Sequence, residues 1–155
     1  MKIKKIITLI LIILWMILIF YLSNQIANES SKLSGGLTRK ILEVLHILDG
    51  KTIEEQAIIE TIIRKLAHFT LYAIGGILIL LHINLYKISD KNKVIISCSI
   101  GTAYAITDEL HQLFVPGRSG EIRDVFIDSF GIIIGIIIIR LLLKMIKRGK
   151  RWKRY

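Results

Sequence analysis

Apolar residues in this chain come in long blocks divided by short polar stretches, and the blocks define the elements. Lys2, Lys4 and Lys5 precede an almost unbroken apolar run from Ile6 to Leu22. The run is longer than a signal-peptide core and no small-x-small cleavage site follows it, so an uncleaved first membrane helix is expected over about 6–22. Trp15, Phe20 and Tyr21 suit lipid contact, the last two near an interface. Ser23-Asn24-Gln25 and Ser30 to Gly36 cannot continue a span and read as a loop. From Leu37 to Leu48 the apolar positions Leu37, Ile41, Leu45 and Leu48 share one helical face, with Arg39, Lys40, Glu43 and His46 elsewhere. That pattern predicts a short amphipathic helix on the membrane surface, ended by Asp49-Gly50.

Thr52-Ile53-Glu54-Glu55 has capping-box spacing and should start the next helix. Its early part is charged, and the apolar part over about 66–86 is the expected second span. Lys87 to Lys93 form a basic loop with Ser89-Asp90 as turn residues, and about 94–114 is the expected third span. Pro116-Gly117 turns the chain, Ser119 is a candidate N-cap, and about 124–143 forms the fourth. Gly131 and Gly135 give that last span a small-xxx-small face, and Gly75-Gly76 marks a close-packing point in the second. The fold class expected is all-α: a polytopic membrane protein with four transmembrane helices plus a short extracellular amphipathic helix, forming one integral membrane domain over 1–155.

Composition supports this reading: the chain is 53% hydrophobic, and because its apolar residues cluster in runs, they do not describe a soluble core. One cysteine, Cys98, excludes an intramolecular disulfide. The net charge of +10 resembles a nucleic-acid signal until its placement is considered. With four spans and both termini cytoplasmic, segments 1–5, 87–93 and 144–155 hold 13 Lys/Arg and one acid, whereas the outer segments hold 8 Lys/Arg and 11 acids. This is the positive-inside pattern, so the expected partners are membrane lipids and no nucleic acid. The basic tail, with Trp152 and Tyr155, suits an anionic inner leaflet.

In this orientation three polar stripes reach one depth, near the outer leaflet. Arg64, His68 and Tyr72 lie i, i+4, i+8 on the second helix. Tyr104, Asp108 and His111/Gln112 share a face at the end of the third, and Asp124 and Asp128 open the fourth. Singly, each has an ordinary reading: Arg64 and Lys65 as interface anchors, His68 as a packed histidine, Asp124 as an acid favoured by a helix N-terminus. Together they form a candidate site, because ionisable residues within membrane spans are costly. The candidate catalytic residues are His68, Asp108, Glu109, His111, Asp124 and Asp128. The candidate substrate-binding residues are Arg64, Tyr72, Gln112 and Arg118, the last suited to a phosphate or carboxylate. Asp108 and His111 have spacing that permits a shared metal, and Asp124 and Asp128 call for a cation, either Arg118, Arg64 or a divalent ion. Glu109 points away from Asp108, toward Arg64, Arg118 or Arg123 as partners. The divalent metal is open at this point, and so is whether the protein is an enzyme.

Three blocks carry a family resemblance: Ser23-x-Gln25 with Ser30 and Ser34; Arg64-Lys65-x-x-His68-Phe69-x-x-Tyr72 with Gly75; and Thr107-Asp108-Glu109-x-His111-Gln112-x-Phe114-x-Pro116-Gly117-Arg118, continuing to Asp124, Asp128, Gly131 and Gly135. Over about residues 15–140 the chain resembles the VanZ-like membrane proteins. The resemblance implies a bacterial cell-membrane protein associated with low-level resistance to the glycopeptide teicoplanin, and supplies no settled reaction. The functional expectation is therefore an envelope protein acting on an anionic lipid or lipid-linked cell-wall precursor. The alternative is a non-catalytic module that binds lipid headgroups or a partner and so limits antibiotic access. A transporter fits less well, since mid-membrane positions offer only Ser97, Ser99, Thr102 and glycines.

Overall fold

The computed structural model describes residues 2–23, 52–116 and 120–152, which form helices and connecting turns without a strand. The helices are α1 (Lys2–Ser23), α2 (Ile53–Ile83), α3 (Asp90–Gln112) and α4 (Ile122–Trp152). The expected amphipathic helix over 37–48 and its Asp49-Gly50 cap lie outside the described residues, as does Ser119.

α2, α3 and α4 begin where local chemistry satisfies first-turn N–H groups. At α2 the capping box forms: the Thr52 N–H donates to Glu55 Oε2 at 2.8 Å and the Glu55 N–H to Thr52 Oγ1 at 3.3 Å. Ser89 caps α3, accepting from the Asn92 N–H at 3.2 Å, so this helix starts about a turn before the expected span. The first turn of α4 closes on the Glu121 carbonyl, which accepts from the Asp124 and Val125 N–H groups. α4 runs on to Trp152, well past the expected limit near 143, because lysine, arginine and methionine are good helix formers and continue it beyond the apolar stretch.

Three segments, Lys2–Ser23, Glu54–Ile83 and Ile122–Ile146, are long and apolar enough to cross a membrane. α3, the expected third span, has 23 residues but is less apolar. The reason lies in its buried face, where Ser97, Gly101, Ala105, Asp108, Glu109 and Gln112 are small or polar. Its outer face carries Ile95, Ile96, Ile100, Ile106 and Leu110, all exposed. This bundle is apolar outside and partly polar within, the arrangement a lipid surround favours.

Contacts along the helices fix their directions. Thr8 of α1 meets His82 of α2, the Trp15 indole donates to the Leu71 carbonyl at 2.9 Å, and Ser23 meets Asp108 of α3. α1 therefore runs antiparallel to α2 and parallel to α3. Lys65 meets Asp124, and Gly131 and Gly135 lie against Phe69 and Ala73, so α2 and α4 run parallel. The ends of α1 and α3 and the starts of α2 and α4 thus share one end of the bundle.

α2 and α4 approach through small residues, as the glycine spacing predicts. A Cβ on Gly135 would stand 1.9 Å from the Ala73 carbonyl oxygen, and one on Gly76 would stand 2.4 Å from that of Ile132. Gly75 receives the Trp15 indole, which is 5% exposed and packs edge-on to Tyr72. Trp15 therefore belongs to the core instead of contacting lipid as expected: its N–H needs a partner that hydrocarbon cannot offer, and the Leu71 carbonyl supplies it. Phe20 and Tyr21 do face outward.

Gly135→Ala should be far more damaging than Gly101→Ala. The first forces backbone apart, whereas a Cβ on Gly101 meets only the movable end of the Ile132 side chain. Thermal unfolding of the detergent-purified variants checks this; overpacking at Gly135 should cost about 1–3 kcal/mol, and equal melting temperatures for the two variants would refute the backbone contact.

Candidate functional site

Apart from Ser97, the buried polar residues described converge on the end of the bundle where α1 and α3 finish. Asp108 is 3% exposed and Asp128 fully buried, among Ser23, Tyr72, Glu109 and Gln112, which are buried as well. α3 delivers Asp108, Glu109 and Gln112 from its last turns. α2 supplies His68 and Tyr72 one turn apart, α4 supplies Asp128 on the side that holds Gly131 and Gly135, and α1 ends at Ser23.

The two oxygens of Asp108 are treated differently. Oδ2 accepts from Ser23 Oγ at 2.9 Å, the Tyr72 hydroxyl at 3.2 Å and Gln112 Nε2 at 3.3 Å. One oxygen is thereby tied to α1, α2 and its own helix. Among the described residues Oδ1 has no hydrogen-bond partner, although it too is buried. Asp128 has none there on either oxygen, and its ionic neighbour among them is His68, with Nδ1 3.9 Å from Oδ2. His68, Asp108 and Asp128 each present an atom suited to a metal ion or a shared proton, all within 4.8 Å of one another. Of the three, only His68 reaches the surface, its side chain 21% exposed.

Glu109 shares Gln112 with Asp108. Gln112 Nε2 donates to Oε1 at 3.1 Å and the Glu121 N–H to Oε2 at 2.9 Å. Among the described residues its partners are an amide and a backbone donor, not Arg64 or Arg123, because the chain before α4 folds back over the end of α3. Gly120 permits this, since a Cβ there would lie 2.5 Å from the Glu109 carbonyl oxygen. Glu109 anchors the α3–α4 turn.

The acids of α4 divide in the same way. Asp124 pairs with Lys65 at 2.5 Å, and Lys65 also lies 3.6 Å from Glu121, in a half-exposed cluster. Among the described residues Asp124 and Asp128 therefore share no cation: the partner of the first is Lys65, not Arg64, and the second is buried in the bundle. Arg64 is exposed one turn before His68, and Arg118 lies outside the described residues. His111 stacks on Phe20 with ring centroids 4.4 Å apart. The expected Asp108–His111 ligand pair is not the grouping formed: among the described residues the imidazole joined with Asp108 is that of His68, from another helix. Tyr104 donates to the Met16 carbonyl at 2.6 Å and fastens α3 to α1.

Two contributors escaped the sequence reading. Ser23 read as loop polarity, yet it ends α1 and donates to Asp108; its place in the first matching block was the available signal. Lys65 read as an interface anchor, although it stands beside Arg64 in the second block.

An apolar exterior around such an interior defines a helical membrane protein with a buried acid–imidazole cluster. A model of the VanZ/LLP1 family matches residues 8–143, most of the chain, and the protein belongs to that family. No curated protein and no solved structure matches the chain.

Tyr72→Phe removes a buried donor to Asp108 and should cost about 1–3 kcal/mol. Lys65→Gln breaks a partly exposed pair and should cost about 1 kcal/mol or less. Denaturant unfolding in mixed micelles measures both, and a reversed order would show that the Asp108 clamp does not hold the helices together.

Proposed function

We propose that this protein is a bacterial cell-membrane protein whose buried cluster acts on an anionic lipid or lipid-linked envelope precursor, modifying the envelope and conferring low-level resistance to teicoplanin. In this reading all four helices cross the membrane, both termini are cytoplasmic, and the cluster lies near the outer leaflet. The shared direction of α1 and α3, the isoleucine face of α3 and the distribution of Lys and Arg support that topology.

The observation that carries the proposal is Asp128: fully buried, without a hydrogen-bond donor among the described residues, beside an imidazole that reaches the surface. An acid within a membrane helix costs on the order of 2.5–3.5 kcal/mol at the centre of the span. A buried charge is a poor source of stability, so packing gives no reason for it. His68 then serves as general acid or base at the edge of the site, and Asp128 orients the imidazole and holds charge against it. Asp108, fixed by three donors, completes the polar wall. Arg64, exposed a turn away, suits a phosphate.

A second reading is favoured by the number of internal bonds. Asp108 Oδ2 and both Glu109 oxygens are engaged within the protein, as they would be in a rigid module that only binds lipid headgroups or a partner. The two readings diverge at Arg64 and His68.

Expression in a teicoplanin-susceptible bacterium should raise the inhibitory concentration. His68→Gln and Asp128→Asn should abolish the rise while membrane levels stay unchanged by immunoblot. Full protection by both variants would end the catalytic reading, and loss confined to Arg64→Ala would support the binding module. Topology has its own check in a Cys98→Ser background: Leu113→Cys should react with an impermeant maleimide on intact cells, and Ile88→Cys only after permeabilisation. Labelling of both from the same side would mean that α3 does not cross.

A further inference from the structure

We infer that His68, Asp108 and Asp128 form a binding site for one divalent transition-metal ion, with zinc the preferred occupant and manganese a weaker one. The inference deepens the functional reading by naming what the cluster holds; with an ion bound, His68 is a neutral ligand in place of the general acid or base, and the geometric grounds are independent of that reading.

The first argument is the orphaned acceptors. Among the described residues Asp108 Oδ1 and both oxygens of Asp128 are buried without a hydrogen-bond donor, and when ionised they can only accept. The described surroundings provide His68 at 3.9 Å as the nearby cationic candidate, and one imidazolium cannot balance two carboxylates. A divalent ion with a neutral imidazole balances them completely.

The second argument is the division of labour at Asp108. Ser23, Tyr72 and Gln112 all donate to Oδ2, so the other oxygen is oriented while being left open. Protein donors that fix a ligating carboxylate in this way are the usual support around a metal ion. They come from three helices, so the orientation is set by the bundle.

The third is spacing. Zinc bonds of about 2.1 Å in tetrahedral geometry place ligand atoms about 3.4 Å apart. The three ligand atoms already lie within 4.8 Å of one another, so rotamer adjustment suffices and no helix need move. One nitrogen and two carboxylate donors suit zinc or manganese, and affinity generally ranks zinc above manganese for such a set. Magnesium prefers oxygen ligands and retains its waters, so it is the poor candidate. Three protein ligands would leave a further coordination position on the ion.

Full-length protein purified in detergent, stripped with chelator and titrated separately with Zn2+, Mn2+ and Mg2+ tests this. Elemental analysis after removal of excess ion should find about one zinc per chain, and zinc should raise the melting temperature where magnesium does not. Asp128→Asn and His68→Gln should lose the bound ion, and Ser23→Ala, which only loosens Asp108, should weaken binding by about tenfold. Asp90→Asn, at the opposite end of the bundle, should bind as the parent does. Circular dichroism confirms that each variant is folded; if Asp128→Asn does not accumulate, the titration of the unsubstituted chain decides alone. A stripped parent protein that takes up no zinc, or zinc retained undiminished by both ligand variants, overturns the proposal. Zinc binding with teicoplanin protection untouched in Asp128→Asn would defeat the functional reading and keep the metal site. A metal-free parent whose protection is lost in that variant would do the reverse.

Discussion

An acid inside a bundle that faces lipid must be enclosed by protein on every side, and this constraint shapes the whole molecule. Asp128 is fully buried and Asp108 nearly so. Neither can turn outward without meeting hydrocarbon, where nothing solvates a carboxylate. α3, which carries Asp108 and Glu109, is the most polar helix, and it presents isoleucines and Leu110 outward and its acids inward. α1, α2 and α4 supply the apolar length, while α2, α3 and α4 each supply one residue of the cluster.

Enclosure depends on close approach, which explains where the small residues lie. Gly76, Gly131 and Gly135 let α2 and α4 meet backbone to backbone. That contact sits one to two turns from His68 and Asp128, and it aligns the two helices so that both side chains enter the same space. On the other side, the Trp15 indole fills the hollow at Gly75 and packs against Tyr72, whose hydroxyl reaches Asp108. In a bilayer, helix association rests on packing and internal hydrogen bonds more than on the hydrophobic effect. The same glycines therefore stabilise the bundle and position the cluster.

Much of this was legible in the sequence because membrane helices announce themselves through long apolar runs and their polar exceptions. The capping box at Thr52, the glycine spacing in α4 and the gathering of polar stripes at one depth all follow from helical periodicity. Which polar groups meet does not. Periodicity put His111 on a face with Asp108, but the imidazole that joins Asp108 is His68, because partner choice depends on the rotation of α2 against α3. Glu109 and Asp124 looked like members of one acidic site, yet Lys65 holds Asp124, and Glu109 meets Asp108 through Gln112 while a backbone N–H holds its other oxygen. Trp15 looked lipid-facing because hydropathy does not register that an indole N–H needs an acceptor. α3 fell short of the others in apolarity for the reason that makes it informative, since residues that lower its hydropathy line the interior.

The distribution of hydrogen bonds separates scaffold from working parts. Glu109, Tyr104 and Asp124 have satisfied partners and join elements: the α3–α4 turn, α3 to α1, and α4 to α2. If burial of polar groups served only assembly, Asp108 and Asp128 would be satisfied as well, because an unpaired buried acceptor costs free energy that packing does not return. Instead the unpaired carboxylate oxygens among the described residues lie together, on two helices, against the one imidazole of the group that reaches the surface, although Ser129 Oγ and His111 Nε2 are unpaired as well. The convergence of those carboxylate oxygens is what a site for an exchangeable partner requires, whether that partner is an ion or a proton: a rigid frame made by the satisfied groups, holding acceptors deliberately left open.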